Sequence, residues 1–165
     1  MAYRMDFIQE LNLWTKGDVF QGKVMVGLGL LLVLTIPLLS KKENTLSNGM
    51  LIPISLLLLV NLGYGSYLLY SRPKHLELVT GSFHINPKEA LQAELAKMQA
   101  DNKNYARLKP IWAVLIIVSV IASFLIKNDY YKGISLGLLC LSVGFLLIDS
   151  FLHHRLDNCL KILNI

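Results

Sequence analysis

The chain has 165 residues, of which 54% are hydrophobic and only 16% charged, with a formal net charge of +5; ordinary soluble domains are about 45–50% apolar and about 25% charged. So little polar sequence cannot enclose the four continuous apolar blocks found here, Val24–Leu39, Met50–Tyr70, Ile111–Ile126 and Ile134–Ile148, which excludes a soluble all-α protein. Their continuity excludes a membrane β-barrel, whose strands alternate over about ten residues.

From the N-terminus, Met1–Asp18 carries Asp6, Glu10 and Asp18 and has no short apolar core before a small-residue cleavage site, so no cleavable signal is expected. Phe7, Leu11 and Trp14 recur at i, i+4 and i+7, which predicts a short amphipathic helix lying on the inner membrane surface and entering the bilayer after Gly17. Crossing the hydrocarbon takes about 20 helical residues at about 1.5 Å each. With their flanks, the apolar blocks therefore read as spans over residues 20–40, 49–70, 108–127 and 131–152 of a single polytopic domain. Trp112, Tyr70, Tyr130 and Tyr131 sit where headgroup-level anchors are preferred.

Between spans 2 and 3 lies a polar central segment, 71–107. Arg72-Pro73 is expected to break the helix leaving span 2. Asn86, Pro87 and Glu89 then read as cap, first turn and capping-box partner of a second helix. Its apolar stripe, Leu91, Leu95, Met98 and Tyr105, must rest on the membrane surface, on the N-terminal helix or on another subunit, because one helix cannot bury it alone. The stripe is a candidate partner face. The fold expected is thus all-α: four transmembrane helices as two hairpins, an N-terminal interfacial helix and a cytoplasmic amphipathic helix.

Orientation follows from lysine and arginine near the span ends. Twelve fall on the side of the termini and central segment, against Lys41, Lys42, Lys127 and Lys132 in the hairpin loops, which places both termini in the cytoplasm. The positive charge then reflects topology and anionic lipid, with no nucleic-acid partner implied. The two hairpins read either as a degenerate repeat or as chance likeness: Ser66-Tyr67-Leu68 before Arg72 matches Ser150-Phe151-Leu152 before Arg155, and parallel repeats are a habit of transporters.

Within the spans, small residues mark helix approach. Gly133, Gly137, Cys140 and Gly144 recur on one face of span 4, and Asn61 beside Gly63 forms a polar locus in span 2; these are packing positions, within the chain or between subunits. Asn61 would need a partner across helices or a cavity to line. Asp149, His153 and Asp157, at i, i+4 and i+8, are the candidate metal or proton-relay group, with His154, His75 and His84 as additional ligands; the alternative is an interfacial Asp149–His153 pair. Cys140 and Cys159 share no metal-binding spacing. Nucleotide-binding and hydrolase motifs are absent from the sequence.

The stretch Gly49-Met50-Leu51-Ile52-Pro53, with Leu62-Gly63-Tyr64-Gly65-Ser66-Tyr67 and Tyr70-Ser71-Arg72-Pro73, resembles small uncharacterised bacterial inner-membrane proteins with two hydrophobic hairpins around a polar segment. The resemblance implies a bacterial inner membrane and carries over no activity or site residue. The expectation is a non-enzymatic, self-associating inner-membrane protein without a cofactor, with the bilayer, further copies of itself and a protein at the central helix as partners. The alternatives are a small oligomeric transporter or channel, and a membrane enzyme or metal site at the end of span 4.

Overall fold

The structure, a computed structural model, describes residues 2–40 and 44–163, with side chains from Phe7 onward; Lys41 and Lys42 lie outside the described residues. Four helices account for nearly all of them: α1 (Ala2–Ser40), α2 (Thr45–Ile85), α3 (Pro87–Leu125) and α4 (Asp129–Ile162). Each is 34 to 41 residues long and apolar enough to cross a membrane. At about 1.5 Å per residue they measure roughly 50–60 Å, twice the ~30 Å hydrocarbon thickness. The chain is therefore a multi-pass, all-α membrane protein whose helices form an apolar half, holding the four apolar runs, and a polar half beyond it.

Two expectations give way here. The N-terminal segment is the first stretch of α1, not a separate surface helix, and Phe7, Leu11 and Trp14 are buried in the bundle. Pro73 does not end the helix leaving span 2; α2 runs through it to Ile85. A proline removes one backbone hydrogen bond, whereas the continued helix buries Val79 and Phe83 with Phe7, Leu11, Trp14, Met98, Leu156, Cys159, Leu160 and Leu163 in one cluster. That burial, at about 1.5–3 kcal/mol for each large side chain, outweighs the break. Only Asn86 separates α2 from α3. Its side-chain amide donates to Glu89 (2.8 Å) and makes no cap bond to the backbone. Asn44 and Asn128, in contrast, do cap α2 and α4, accepting from Leu46 N and from Tyr130 N and Tyr131 N.

Spatially the order is α1, α2, α4, α3, with α2 and α4 as the inner pair. They cross where Gly49 meets the Tyr130 carbonyl and Gly133 meets the Leu46 carbonyl. This contact is reciprocal at a constant offset of 84 residues, the separation that also relates the capping residues Asn44 and Asn128 and the buried Leu68 and Leu152. In the polar half the same offset pairs Phe7 with Leu91, Leu11 with Leu95 and Trp14 with Met98, all in or against the one cluster. The two hairpins therefore meet in an approximately two-fold crossing.

Candidate functional site

Where α1 leaves its apolar run, Asp18 is fully buried. Arg72 of α2 places Nε 3.0 Å from its Oδ2, and Arg155 of α4 places Nη1 3.7 Å from its Oδ1. The Arg72 Nε–H is not directed at the carboxylate, so the contact is an ion pair without a hydrogen bond. Burial pushes the Asp18 carboxyl up to about 6, against the opposing pull of Arg72 and then Arg155. The Arg72 guanidinium also lies 4.8 Å from the centre of the Trp14 ring, a cation–π contact. Gly17 makes room for Arg155, since a Cβ there would stand 2.7 Å from Arg155 Cδ. Arg155 donates to the Gln21 side-chain oxygen, and Gln21 Nε2 donates to the Ile148 carbonyl at 3.1 Å.

The triad of Asp18, Arg72 and Arg155 was not anticipated from sequence as a site. Its legible signal is an acid at the polar edge of an apolar run, facing an arginine at the polar end of each of the two inner spans.

On the other side of the belt, the candidate group on α4 is dispersed. Trp112 Nε1 donates to Asp149 Oδ2 at 2.6 Å, Lys109 bonds His153 Nδ1, and Asp157 pairs with Lys161 at 2.6 Å. Asp149 and His153 thus each turn to α3, and the expected bond between them is not formed. Burial first, and then the Lys109 ammonium, hold the His153 imidazole below its ordinary range, which suits a neutral ring accepting from lysine. His75 is taken up by Glu94 (2.9 Å) and Lys97 (3.1 Å), and His84 is exposed near the α2–α3 turn. Among the described residues no three of His, Cys, Asp and Glu converge on a metal position.

The glycine face of α4 is occupied within the chain. A Cβ on Gly137 would meet Pro53 Cγ at 2.9 Å, and one on Gly144 would meet Leu57 Cδ1 at 2.8 Å. Cys140 is exposed, and Gly63 has nothing within 4 Å of an added Cβ, so neither marks a close approach. On α2 that place belongs to Gly65, which meets Gly22 and Met25 of α1. Asn61 is buried and donates to the Leu57 carbonyl of its own helix at 2.9 Å, not across helices. Of the stripe on α3, Met98 is fully buried, with Leu91, Leu95 and Tyr105 packed against the same cluster. Its cover comes from the N-terminal stretch of α1 together with α2 and α4, one of the three covers anticipated from sequence.

Between α1 and α4 the apolar half carries a cavity of about 330 Å³, with Gln21, Met25, Leu28, Leu57, Asn61 and Phe151 among its lining. Leu28 (50%) and Phe151 (59%) are half or more exposed, so the cavity is a groove opening sideways on the apolar surface. It is lined almost wholly by hydrocarbon, with Gln21 and the Arg155 it binds at one end. Such a space suits an apolar ligand with a polar end. In comparisons with protein-family models, with curated proteins and with solved structures, nothing matches the chain.

Proposed function

We propose that the chain is a non-enzymatic multi-pass protein of a bacterial inner membrane, with both termini cytoplasmic, that works by association of its projecting bundle with further copies of itself. One observation carries this reading. Leu78 and Ile85, seven residues apart on α2, are 61% and 88% exposed beyond the apolar run, an apolar face that a second copy of the chain would cover. The partner face moves accordingly from the stripe on α3, filled within the chain, to this face of α2. The twelve-to-four bias of basic residues supports the orientation.

In lipid nanodiscs, the particle mass should correspond to more than one chain and should fall to a single chain in Leu78→Glu/Ile85→Glu. A wild type that is already monomeric overturns the association reading. Reporter fusions after Ala100 and at the C-terminus should behave as cytoplasmic, and those at 41–48 and near Asn128 as external; an external signal at Ala100 overturns the orientation. Asn61, lining a cavity in the apolar half, favours a transporter as the second reading, which ion flux from reconstituted liposomes would detect.

A further inference from the structure

We propose that the groove between α1 and α4 holds one acyl chain of an anionic phospholipid of the cytoplasmic leaflet, with its phosphate on Arg155. Naming that leaflet rests on the orientation proposed above; the groove and its chemistry do not.

The two-fold relation supplies the first argument. Applied to the α1–α4 groove, the offset of 84 residues leads to the groove between α3 and α2, with Tyr105 for Gln21, Trp112 for Leu28 and Phe145 for Asn61. There the chain fills the space itself: the Trp112 and Phe145 rings are 4.7 Å apart, and Tyr64 stacks on Tyr67 at 5.9 Å. Smaller side chains at the matching positions leave the α1–α4 groove open. An apolar groove in a bilayer does not stay empty, because hydrocarbon is its solvent and an unfilled void forfeits dispersion contacts.

Size decides what fills it. The lining follows α1 from Gln21 to Thr35, about 21 Å at about 1.5 Å per residue. A cavity of about 330 Å³ drawn out over that length is a slot thinner than a helix about 10 Å across. The groove admits a hydrocarbon chain and not a helix of a second copy. Its length exceeds half of the ~30 Å hydrocarbon layer, so a chain from one leaflet lies in it along its whole length.

Charge decides the headgroup. Two guanidiniums, Arg72 and Arg155, share the carboxylate of Asp18 as their one ion-pair partner, with Asp101 and Glu10 further off, so positive charge predominates where α1 and α4 leave the apolar half. Arg72 is the more enclosed, its side chain 11% exposed, and Arg155 the more open at 25%. Arg155 also bonds Gln21 in the groove wall, so the accessible cation stands at the groove's polar end. Its planar fork matches phosphate geometry.

The test is native mass spectrometry of the full chain released from detergent, supplied with equal amounts of phosphatidylglycerol and phosphatidylcholine of identical acyl chains. One phosphatidylglycerol per chain should be retained, with about fivefold preference over phosphatidylcholine, the ratio expected for one interfacial cation. Arg155→Gln should bring the two lipids to parity, and Arg155→Lys should restore part of the preference. Leu28→Trp, which copies the filled half of the molecule and lies away from the triad, should abolish retention of both lipids and so tests the groove even if Arg155→Gln does not fold. Equal retention of the two lipids by the wild type overturns the headgroup assignment. Undiminished retention in Leu28→Trp overturns the groove, as does a dimer that this substitution dissociates without loss of lipid. None of these outcomes depends on whether Leu78 and Ile85 mediate association.

Discussion

Replacing Met98 by alanine separates a core residue from a partner-facing one. Met98 is fully buried among Phe7, Trp14, Leu156 and Cys159, so truncation leaves a cavity enclosed by all four helices. Buried methionine-to-alanine changes cost about 2–5 kcal/mol. Taking about 3 kcal/mol, and about 2–4 °C per kcal/mol for a chain of this size, the unfolding midpoint should fall by roughly 6–12 °C. Cys159 is 4% exposed in the same cluster and Cys140 is exposed. In a Cys140→Ser background, heating with a thiol-reactive dye therefore reports opening of the polar half alone. Leu91→Ala, at the edge of the cluster, should shift the midpoint by less than Met98→Ala. If Met98→Ala labels at the wild-type temperature while particle mass drops, the residue faces a partner and the intramolecular packing described above is refuted.

At the inner crossing, Gly133→Ala and Gly49→Ala each set a Cβ against a backbone carbonyl, of Leu46 and of Tyr130, which no side-chain rotation relieves; both should lose monodisperse protein on size exclusion. Gly63→Ala meets nothing within 4 Å and should be neutral or gain up to about 1 kcal/mol from helix propensity, so a Gly133→Ala protein as stable as Gly63→Ala would contradict the crossing. At the belt, Trp112→Phe deprives Asp149 of its 2.6 Å donor and should cost about 1.5–3 kcal/mol as a hydrogen bond to a charged group. Asp149→Asn keeps an acceptor there and should cost less than Trp112→Phe; melting midpoints in the reverse order would show that the pair does not hold α3 to α4.

The four apolar runs follow from sequence, because each depends on local chemistry: about twenty helical residues against hydrocarbon. The local signals at Pro73 and Gly17 misled, since they report what a chain segment prefers in isolation. Burial of Phe83 and Val79 against Phe7 and Trp14, contributed from distant parts of the chain, overrides the proline and carries α2 onward to Ile85. Gly17 is a packing gap for Arg155, not the point where the chain turns into the membrane.

The likeness of the two hairpin ends was visible as a pattern, but its meaning was not. Reciprocity shows only when Gly49 meets Tyr130 and Gly133 meets Leu46. The candidate site was the least legible part. Asp149, His153 and Asp157 share a helical face in sequence, yet two of the three are claimed by Trp112 and Lys109 of α3. Asp18 finds its two arginines 54 and 137 residues away. Hydropathy acts along the chain and can be read from it, whereas a buried charge is stable only where the fold brings its counter-charges, and that pairing exists only in three dimensions.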